Sequence, residues 1–212
     1  ASLPAIDSRG ILVDAIAPTV VSVTAITANG AYRQGETIEL NVTFSEPVLY
    51  MGNGSRLLLE TGTTDRYATN SSRDNSNTWV FSYTVQAGDV SSDLDYHSIT
   101  ALESNGGIWD YSMNSAILTL AAPGAANSLG ANQSIVIDTS NPIITSTSAI
   151  DFAENGTAVA YTAVATDGNT LSYRLGTAKD EALFSIVDTS GAVTFNTSPD
   201  FEIPTDADSN NE

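Results

Sequence analysis

The chain of 212 residues contains no cysteine, a single histidine and only 7 lysines and arginines. Without cysteine it has no disulfides, no thiolate metal sites and no cysteine nucleophile. Zinc is disfavoured as well, because His97 has no second histidine or thiolate with which to share an ion. The shortage of basic residues argues against nucleic acid and anionic membrane surfaces as partners.

Long apolar runs are missing too. No stretch of about eighteen apolar residues is present, so no membrane insertion is predicted. The chain does not open with a basic and then apolar segment, and an export signal is therefore expected elsewhere in a longer protein. The 42% hydrophobic content is nevertheless enough for packed cores, which excludes a disordered acidic tail.

Acidic residues dominate what is present, with 25 Asp and Glu and a net charge of -18. A compact fold with this charge repels itself unless counter-ions are held at defined places. Segment 200–212 concentrates oxygen donors, among them Asp200, Glu202, Asp206 and Asp208. Because calcium is bound by about six to eight such oxygens, we predict Ca²⁺ as the cofactor. A frayed acidic terminus stays open as the other interpretation of residues 206–212.

The chain is rich in strand signals and poor in helical ones. Its β-branched and aromatic segments mostly alternate apolar with polar residues, which predicts strands with one solvated face. Turn clusters separate these segments at intervals typical of β-sandwiches. We therefore predict an all-β fold without helices. The predicted strands include Thr19–Thr24, Thr37–Phe44, Trp79–Val85, Leu94–Ile99 with His97 facing solvent, and Ser134–Ile137.

Two connectors of the same form divide the chain. Val136–Ile143 ends a strand in an acidic, proline-terminated segment, and Val13–Thr19 has the same character. We predict a linker or the end of a preceding module at 1–13, one β-sandwich at 14–142 and another at 143–212. Connectors repeated at domain spacing suggest modules arranged like beads on a string.

Residues 14–142 resemble the bacterial immunoglobulin-like repeats of very large adhesins. The resemblance rests on several motifs in the expected order, including Asp14-Ala-Ile-Ala-Pro-Thr-Val20, Thr43-Phe-Ser-Glu-Pro-Val48 and Ile135-Val-Ile-Asp-Thr139. Residues 143–212 resemble a cadherin-type domain through Phe152-Ala-Glu-Asn-Gly156, Gly191-Ala-Val-Thr-Phe195 and Asp200-Phe-Glu202. Together they resemble stalk modules of calcium-dependent adhesins of the RTX type, which are exported by type I secretion.

This resemblance implies two tandem Greek-key β-sandwiches, immunoglobulin-like and then cadherin-like. In the cadherin-like family a tyrosine-led strand and a final strand follow the Asp-Phe-Glu segment. Neither appears before Glu212, so we expect the second sandwich to be incomplete and its last strands to lie beyond this chain. Open strand edges of this kind are an aggregation liability.

Metal ligands are expected in both domains. In the cadherin-like part the resemblance implies Glu154, Asp200 and Glu202, with Asp138 and Asn141 of the connector converging on them. Asp167, Asn169 and Asp180 are further candidates, although Asp167-Gly-Asn169 is equally typical of a turn. In the first domain the expected ligands are Asp14, Glu46, Asp110 and Asn114.

Two features of the first domain leave alternatives open. Glu46 precedes Pro47 and is equally interpretable as the cap of a strand edge, where proline blocks further pairing. The loop Trp109-Asp-Tyr-Ser-Met-Asn114 corresponds to a family loop with glycine before the asparagine, but Met113 stands in its place. This substitution bears on whether the loop keeps its ion-binding shape.

The resulting functional expectation is a calcium-stiffened stalk segment on a bacterial cell surface, not an enzyme. Its expected partners are neighbouring domains of the same long chain. The alternative is that the segment itself binds a host glycan or peptide. The binding groups would be the polar stretch Thr61–Asn77 and an aromatic platform drawn from Tyr50, Tyr67, Trp79, Trp109 and Tyr111. Trp79 is expected in the core.

Overall fold

The computed structural model describes residues 14–50, 54–71, 75–177 and 180–204. These residues divide into two compact units after Thr139, whereas the predicted boundary followed residue 142. Both units consist of β-sheets that are largely antiparallel, which confirms the all-β sandwich class. Within the described ranges, no helix has the length and apolarity needed to cross a membrane.

The first unit contains eleven described strands and one short helix. In chain order they are β1 (Val20–Ala25), β2 (Gly30–Tyr32), β3 (Thr37–Phe44), β4 (Leu49–Tyr50), β5 (Ser55–Leu59), β6 (Arg66–Asn70), β7 (Thr78–Thr84), β8 (Val90–Ser91), β9 (Leu102–Ser104), β10 (Ile108–Trp109), α1 (Leu129–Asn132) and β11 (Ile135–Asp138).

Its largest sheet has six strands in the order β1-β3-β7-β6-β5-β9. Strand β3 lies inside this sheet and alternates strictly, with Ile38, Leu40, Val42 and Phe44 buried and the residues between them exposed or half-buried. Its antiparallel partner β7 buries Trp79 opposite Val42. The alternation confirms the predicted solvated face and places Trp79 in the core, as expected.

Smaller sheets complete the first unit. Strand β11 pairs in parallel with β2 and antiparallel with β8, while β10 pairs with β4. Ile108, Ile135 and Ile137 from these strands belong to the same buried cluster as the large sheet. One continuous core therefore joins the sheets of this unit.

Two local predictions for the first unit are wrong. Helix α1 was not predicted, because four residues show no helical period; its start is fixed by Ser128 Oγ, which accepts a hydrogen bond from Ala131 N. Residues 94–99 do not form a strand, since only Tyr96 makes a bridge, to Leu59. His97 is exposed, as expected.

The second unit is described as five short strands and a 3-10 turn. They are β12 (Ile143–Ile144), β13 (Tyr161–Thr162), β14 (Ala165–Thr166), the turn Glu181–Leu183, β15 (Phe184–Ile186) and β16 (Ala192–Phe195). Strand β12 pairs with β14, and β16 lies between β13 and β15.

The core of the second unit is small. Phe195 packs against Phe152 and Phe184, with ring centroids 5.2 and 4.7 Å apart, yet none of these rings is fully buried. Several large apolar side chains of its described part are more than half exposed, including Ile143, Ile144, Ile150, Phe201 and Ile203. Apolar burial therefore contributes much less to this unit than to the first.

A buried polar network ties the turn after β7 to the core of the first unit. The Asp89 carboxylate is 1% exposed and accepts hydrogen bonds from Tyr83 Oη at 2.5 Å, Gln86 N at 2.9 Å and Arg66 Nε at 2.9 Å. Burial by itself raises the pKa of Asp89, but these hydrogen bonds outweigh it and hold the pKa below its ordinary value. Ionised Asp89 therefore stabilises the folded unit.

Replacing Tyr83 by Phe should lower the free energy of unfolding by about 1.5–3 kcal/mol at pH 7, since the lost bond ends on a charged group. Because the pKa of folded Asp89 is depressed, its contribution is present above the unfolded pKa and is lost as pH falls through the folded value. The penalty should therefore shrink in acid. Urea unfolding at pH 7 and pH 3 measures this loss of stability.

Tyr32→Phe is the matched control, because it removes a hydrogen bond to the neutral Ala28 carbonyl. If the loss of stability depended on pH equally in both variants, the role given to ionised Asp89 would be contradicted.

Candidate metal centres

Three of the four predicted ligands of the first domain come together. Carboxylate oxygens of Asp14, Glu46 and Asp110 lie within 4.8 Å of one another. We call this group the first carboxylate centre. Glu46 follows the end of β3, Asp110 follows β10, and Asp14 precedes β1, so residues distant in sequence meet in one place.

Backbone contacts bring these segments together. Thr19 N donates to Ser45 Oγ at 3.1 Å, and Ser45 N donates to the Thr19 carbonyl at 2.9 Å. On the other side, Ile117 N donates to the Pro18 carbonyl at 2.8 Å. The segment entering the unit is thus fixed both to the end of β3 and to the region that follows the Asp110 loop.

The Asp110 loop is closed by its own hydrogen bonds. Asp110 Oδ1 accepts from the backbone N of Ser112 and of Asn114, both at 2.8 Å, and Asp110 Oδ2 accepts from Asn114 Nδ2 at 2.7 Å. Asn114 Nδ2 also donates to the Asp14 carbonyl at 3.1 Å. Asn114, the fourth predicted ligand, therefore contacts two members of the centre.

Met113 adopts the left-handed backbone conformation, with φ of 67°, and its side chain is exposed. A glycine takes this conformation without strain, whereas an L side chain there is disfavoured by about 1–2 kcal/mol. The loop therefore has a conformation for which a glycine would be suited, and Met113 adopts it at the cost of local strain.

The carboxylates of the first carboxylate centre have different protonation tendencies. Burial raises the pKa of Asp110, but the hydrogen bonds from Asn114 and its neighbours outweigh this and hold the pKa below its ordinary value. The pKa of Glu46 is raised, by desolvation first and then by the negative charges of Asp14 and Asp110. Glu46 is thus a carboxylate held against two others, an arrangement that a cation would relieve.

A second carboxylate centre lies in the second unit, where oxygens of Glu154, Asp200 and Glu202 are within 4.8 Å of one another. Phe201 N donates to Glu154 Oε2 at 3.2 Å, and Asn155 N donates to the Pro199 carbonyl at 2.8 Å. These bonds join the turn at 153–156 to the turn at 200–203. All three acids are exposed and accessible to ions.

In the part of the chain that the structure describes, the remaining predicted ligands are not part of either carboxylate centre. Asp138 ends β11 and belongs to none of the carboxylate groups found among the described residues, and Asn141 is exposed; their convergence on Glu154 stays a prediction. Asp167 Oδ1 accepts from Asn169 N at 2.7 Å, which bears out the turn interpretation. Asp167 Oδ2 is nevertheless buried without a hydrogen-bond partner. Asp206 and Asp208 lie outside the described residues.

The predicted platform residues do not share one environment. Tyr50 packs edge-on against Trp79, Trp109 lies half-buried over Gly107, and Tyr111 is the exposed member at 65%. The stretch 61–77 is not one long loop either, because it contains β6. A groove of about 450 Å³ lies elsewhere in the unit and is lined by Gly54, Ser55, Arg56, Thr69, Asn70, Glu103, Ser104 and Asn105.

No protein-family model, curated protein or solved structure matches this chain. The function is therefore argued from the geometry of the chain itself. Acidic groups able to hold a metal ion are present in both units, and each of the two carboxylate centres offers oxygen ligands alone.

Met113→Gly should raise the free energy of unfolding by about 0.5–1 kcal/mol, because relief of the left-handed strain exceeds the entropy that glycine adds to the unfolded chain. Urea unfolding in chelator measures the change without an ion. Met113→Ala is the matched control, since it retains the Cβ atom and should show no gain. Equal stability of the two variants would contradict the strain at this position.

Glu46→Gln should stabilise the metal-free protein at pH 7. Because the pKa of folded Glu46 is raised, its contribution to stability is present below the unfolded pKa and is lost as pH rises through the folded value. The neutral amide removes this loss. Thermal unfolding in chelator should show a higher melting temperature for the variant at pH 7 and no difference near pH 3. A lower melting temperature at pH 7 would show that Glu46 is not under repulsion.

Proposed function

We propose that this chain is a calcium-binding structural segment of a large bacterial surface adhesin. One observation carries the proposal: ligands expected from separate motifs meet in space, as Asp14, Glu46 and Asp110 in one unit and as Glu154, Asp200 and Glu202 in the other. A high content of acidic residues does not by itself bring acids from distant segments together, and each centre contains residues from at least two such segments. Several of the motifs behind the resemblance supply one of these acids.

Calcium is the cation that suits these centres best. Carboxylate and carbonyl oxygens are the donors of hard ions, and calcium accepts about six to eight of them in flexible geometry. Three carboxylates provide part of that number, and backbone carbonyls and water supply the rest. Magnesium is less suitable, since it demands near-ideal octahedral geometry and gives up its water reluctantly.

Calcium would act on this chain as a cross-link. In the first unit it would neutralise repulsion at Glu46 and hold the entering segment at Asp14 to the loop at Asp110. In the second unit it would join the turns at 153–156 and 200–203, where apolar burial is small. Ion binding stabilises a fold by RT ln(1 + [L]/Kd), about 2.7 kcal/mol when the ion is at one hundred times Kd.

The biological role that follows is mechanical and not catalytic. In this proposal the chain is exported by type I secretion, lies outside the bacterial cell and meets calcium there. Its partners are the neighbouring domains of the same long chain, and its stiffness projects a distal domain that binds the host cell. Its many uncompensated carboxylates make folding dependent on extracellular calcium.

Millimolar calcium should raise the melting temperature strongly relative to EDTA, and magnesium should raise it much less. Trp79 and Trp109 are the two tryptophans and both lie in the first unit, so tryptophan fluorescence reports that unit while calorimetry reports both. Glu46→Gln should abolish the calcium effect on fluorescence. Glu154→Gln should leave it intact and reduce the calorimetric gain.

Glu39→Gln is the matched control, because Glu39 is an exposed acid of β3 outside both carboxylate centres. It should respond to calcium as the parent chain does. An equal melting temperature in calcium and EDTA would overturn the proposal. If Glu46→Gln, Glu154→Gln and Glu39→Gln all reduced the calcium-induced rise in melting temperature equally, only overall charge would matter.

A second candidate function is binding of a glycan or peptide by the first unit itself. The observation in its favour is the polar groove next to Arg56, where Asn70 Nδ2 is buried without a hydrogen-bond partner and would be satisfied by a ligand oxygen. A glycan array probed in calcium tests it. Binding that is lost in Asn70→Ala and retained in Glu46→Gln would favour this function over the structural one.

A further inference from the structure

A third group of side chains able to bind a metal lies in the first unit and was not predicted. Ligand atoms of Glu60, Asp65 and His97 are within 4.8 Å of one another. His97 Nδ1 is 3.1 Å from Glu60 Oε2 and 3.0 Å from Asp65 Oδ2. One ring nitrogen carries at most one hydrogen, so it cannot give both carboxylates a full hydrogen bond of their own. A divalent cation would satisfy all three atoms together.

The sheet register places the three side chains on one face. Leu59 pairs with Arg66 in the β5–β6 hairpin, so Glu60 and Asp65 stand at the two ends of the loop that joins these strands. On the other edge of β5, His97 N donates to the Leu58 carbonyl at 2.9 Å, and Glu60 N donates to the Asp95 carbonyl at 3.0 Å. Glu60 therefore stands between Asp65 on one side and the histidine segment on the other.

The backbone around the group is held in place before any ion binds. Thr61 is fully buried and closes the hairpin loop through a 2.8 Å bond from its Oγ1 to the Thr64 carbonyl. Val90 N donates to the Thr61 carbonyl at 3.0 Å, and a Cβ on Gly62 would lie 2.8 Å from the Val90 side chain. Next to His97, Tyr96 is buried and donates to the Ala121 carbonyl. Pre-formed ligands lose little entropy on binding.

The type of donor points to a softer ion than calcium. Imidazole favours zinc, nickel, copper and iron, whereas calcium takes oxygen donors. In an octahedral shell, which water would complete, two bonds of about 2.1 Å at a right angle place their ligand atoms about 3.0 Å apart, as His97 Nδ1 is from each carboxylate. Composition disfavours zinc because a second histidine and cysteine are missing, but carboxylates such as Glu60 and Asp65 are zinc ligands as well.

We propose that Glu60, Asp65 and His97 form a binding site for one divalent first-row transition ion of the zinc or nickel class, separate from the two carboxylate centres. The protein supplies one nitrogen and two oxygens, and water fills the remaining positions. The inference does not depend on the proposed calcium function.

The test uses the whole chain without a histidine tag, in millimolar calcium, so that the two carboxylate centres are occupied. Isothermal titration with Zn²⁺ should show one saturable site per chain. His97 is the single histidine, so a sample labelled with ¹³C at histidine gives one Cε1–H signal in NMR spectra. Titration with Ni²⁺ should shift or broaden that signal until one equivalent has been added.

His97→Gln should weaken zinc binding by about tenfold or more, and Glu60→Gln and Asp65→Asn should each weaken it by a similar factor. His97 is exposed, so its replacement leaves the core intact, which the melting temperature without zinc checks. Glu39→Gln, an acid outside the group, should bind zinc as the parent chain does. The proposal is overturned if zinc does not bind in calcium, or if His97→Gln and the parent chain bind it equally.

Discussion

Carboxylates that lie within 4.8 Å of one another repel, and in this chain backbone hydrogen bonds hold two such groups together despite a net charge of -18. The hydrogen bonds come from the fold, so the repulsion persists for as long as the protein stays folded without a counter-ion. Glu46 shows the effect most clearly, since desolvation and two neighbouring acids raise its pKa. A cation bound at either centre, as proposed above, would relieve this repulsion and stabilise the unit that holds it.

The two units differ in how much apolar burial is available to offset this repulsion. The first has a continuous core that joins its sheets, so it can tolerate repulsion at its edge. Among the described residues of the second, Ala160 and Val193 are the buried apolar side chains, and several isoleucines remain exposed. A cation at Glu154, Asp200 and Glu202 would thus contribute a larger share of the stability of the second unit.

Much of the fold could be predicted from local pattern. Strand β3 was predicted with its observed bounds, because strict alternation of buried and exposed residues is a property of the sequence itself. Helix α1 escaped, since a single capped turn has no period to detect. The acids of the two carboxylate centres were expected from a family resemblance that stays a prediction, and the structure adds their proximity.

The group formed by Glu60, Asp65 and His97 could not be predicted from local sequence pattern. Its three members come from the two ends of a hairpin loop and from a bend after Tyr96, and only the register across β5 brings them together. Glu60 and Asp65 are close because they stand at the two ends of one hairpin loop. No feature of the sequence near His97 indicates that it lies next to them. To predict a site that depends on sheet register, one must know which strands pair and in what register, and this sequence alone does not show that.

Strands β2 and β11, near the beginning and the end of the first unit, lie side by side and run in the same direction. When the two ends of the unit are pulled apart, parallel neighbours slide along each other, so their hydrogen bonds are loaded together and not opened one after another. Antiparallel neighbours pulled from the same end would unzip. Between β2 and β11 the strand arrangement therefore favours shearing over unzipping, a response to force that is distinct from thermal stability.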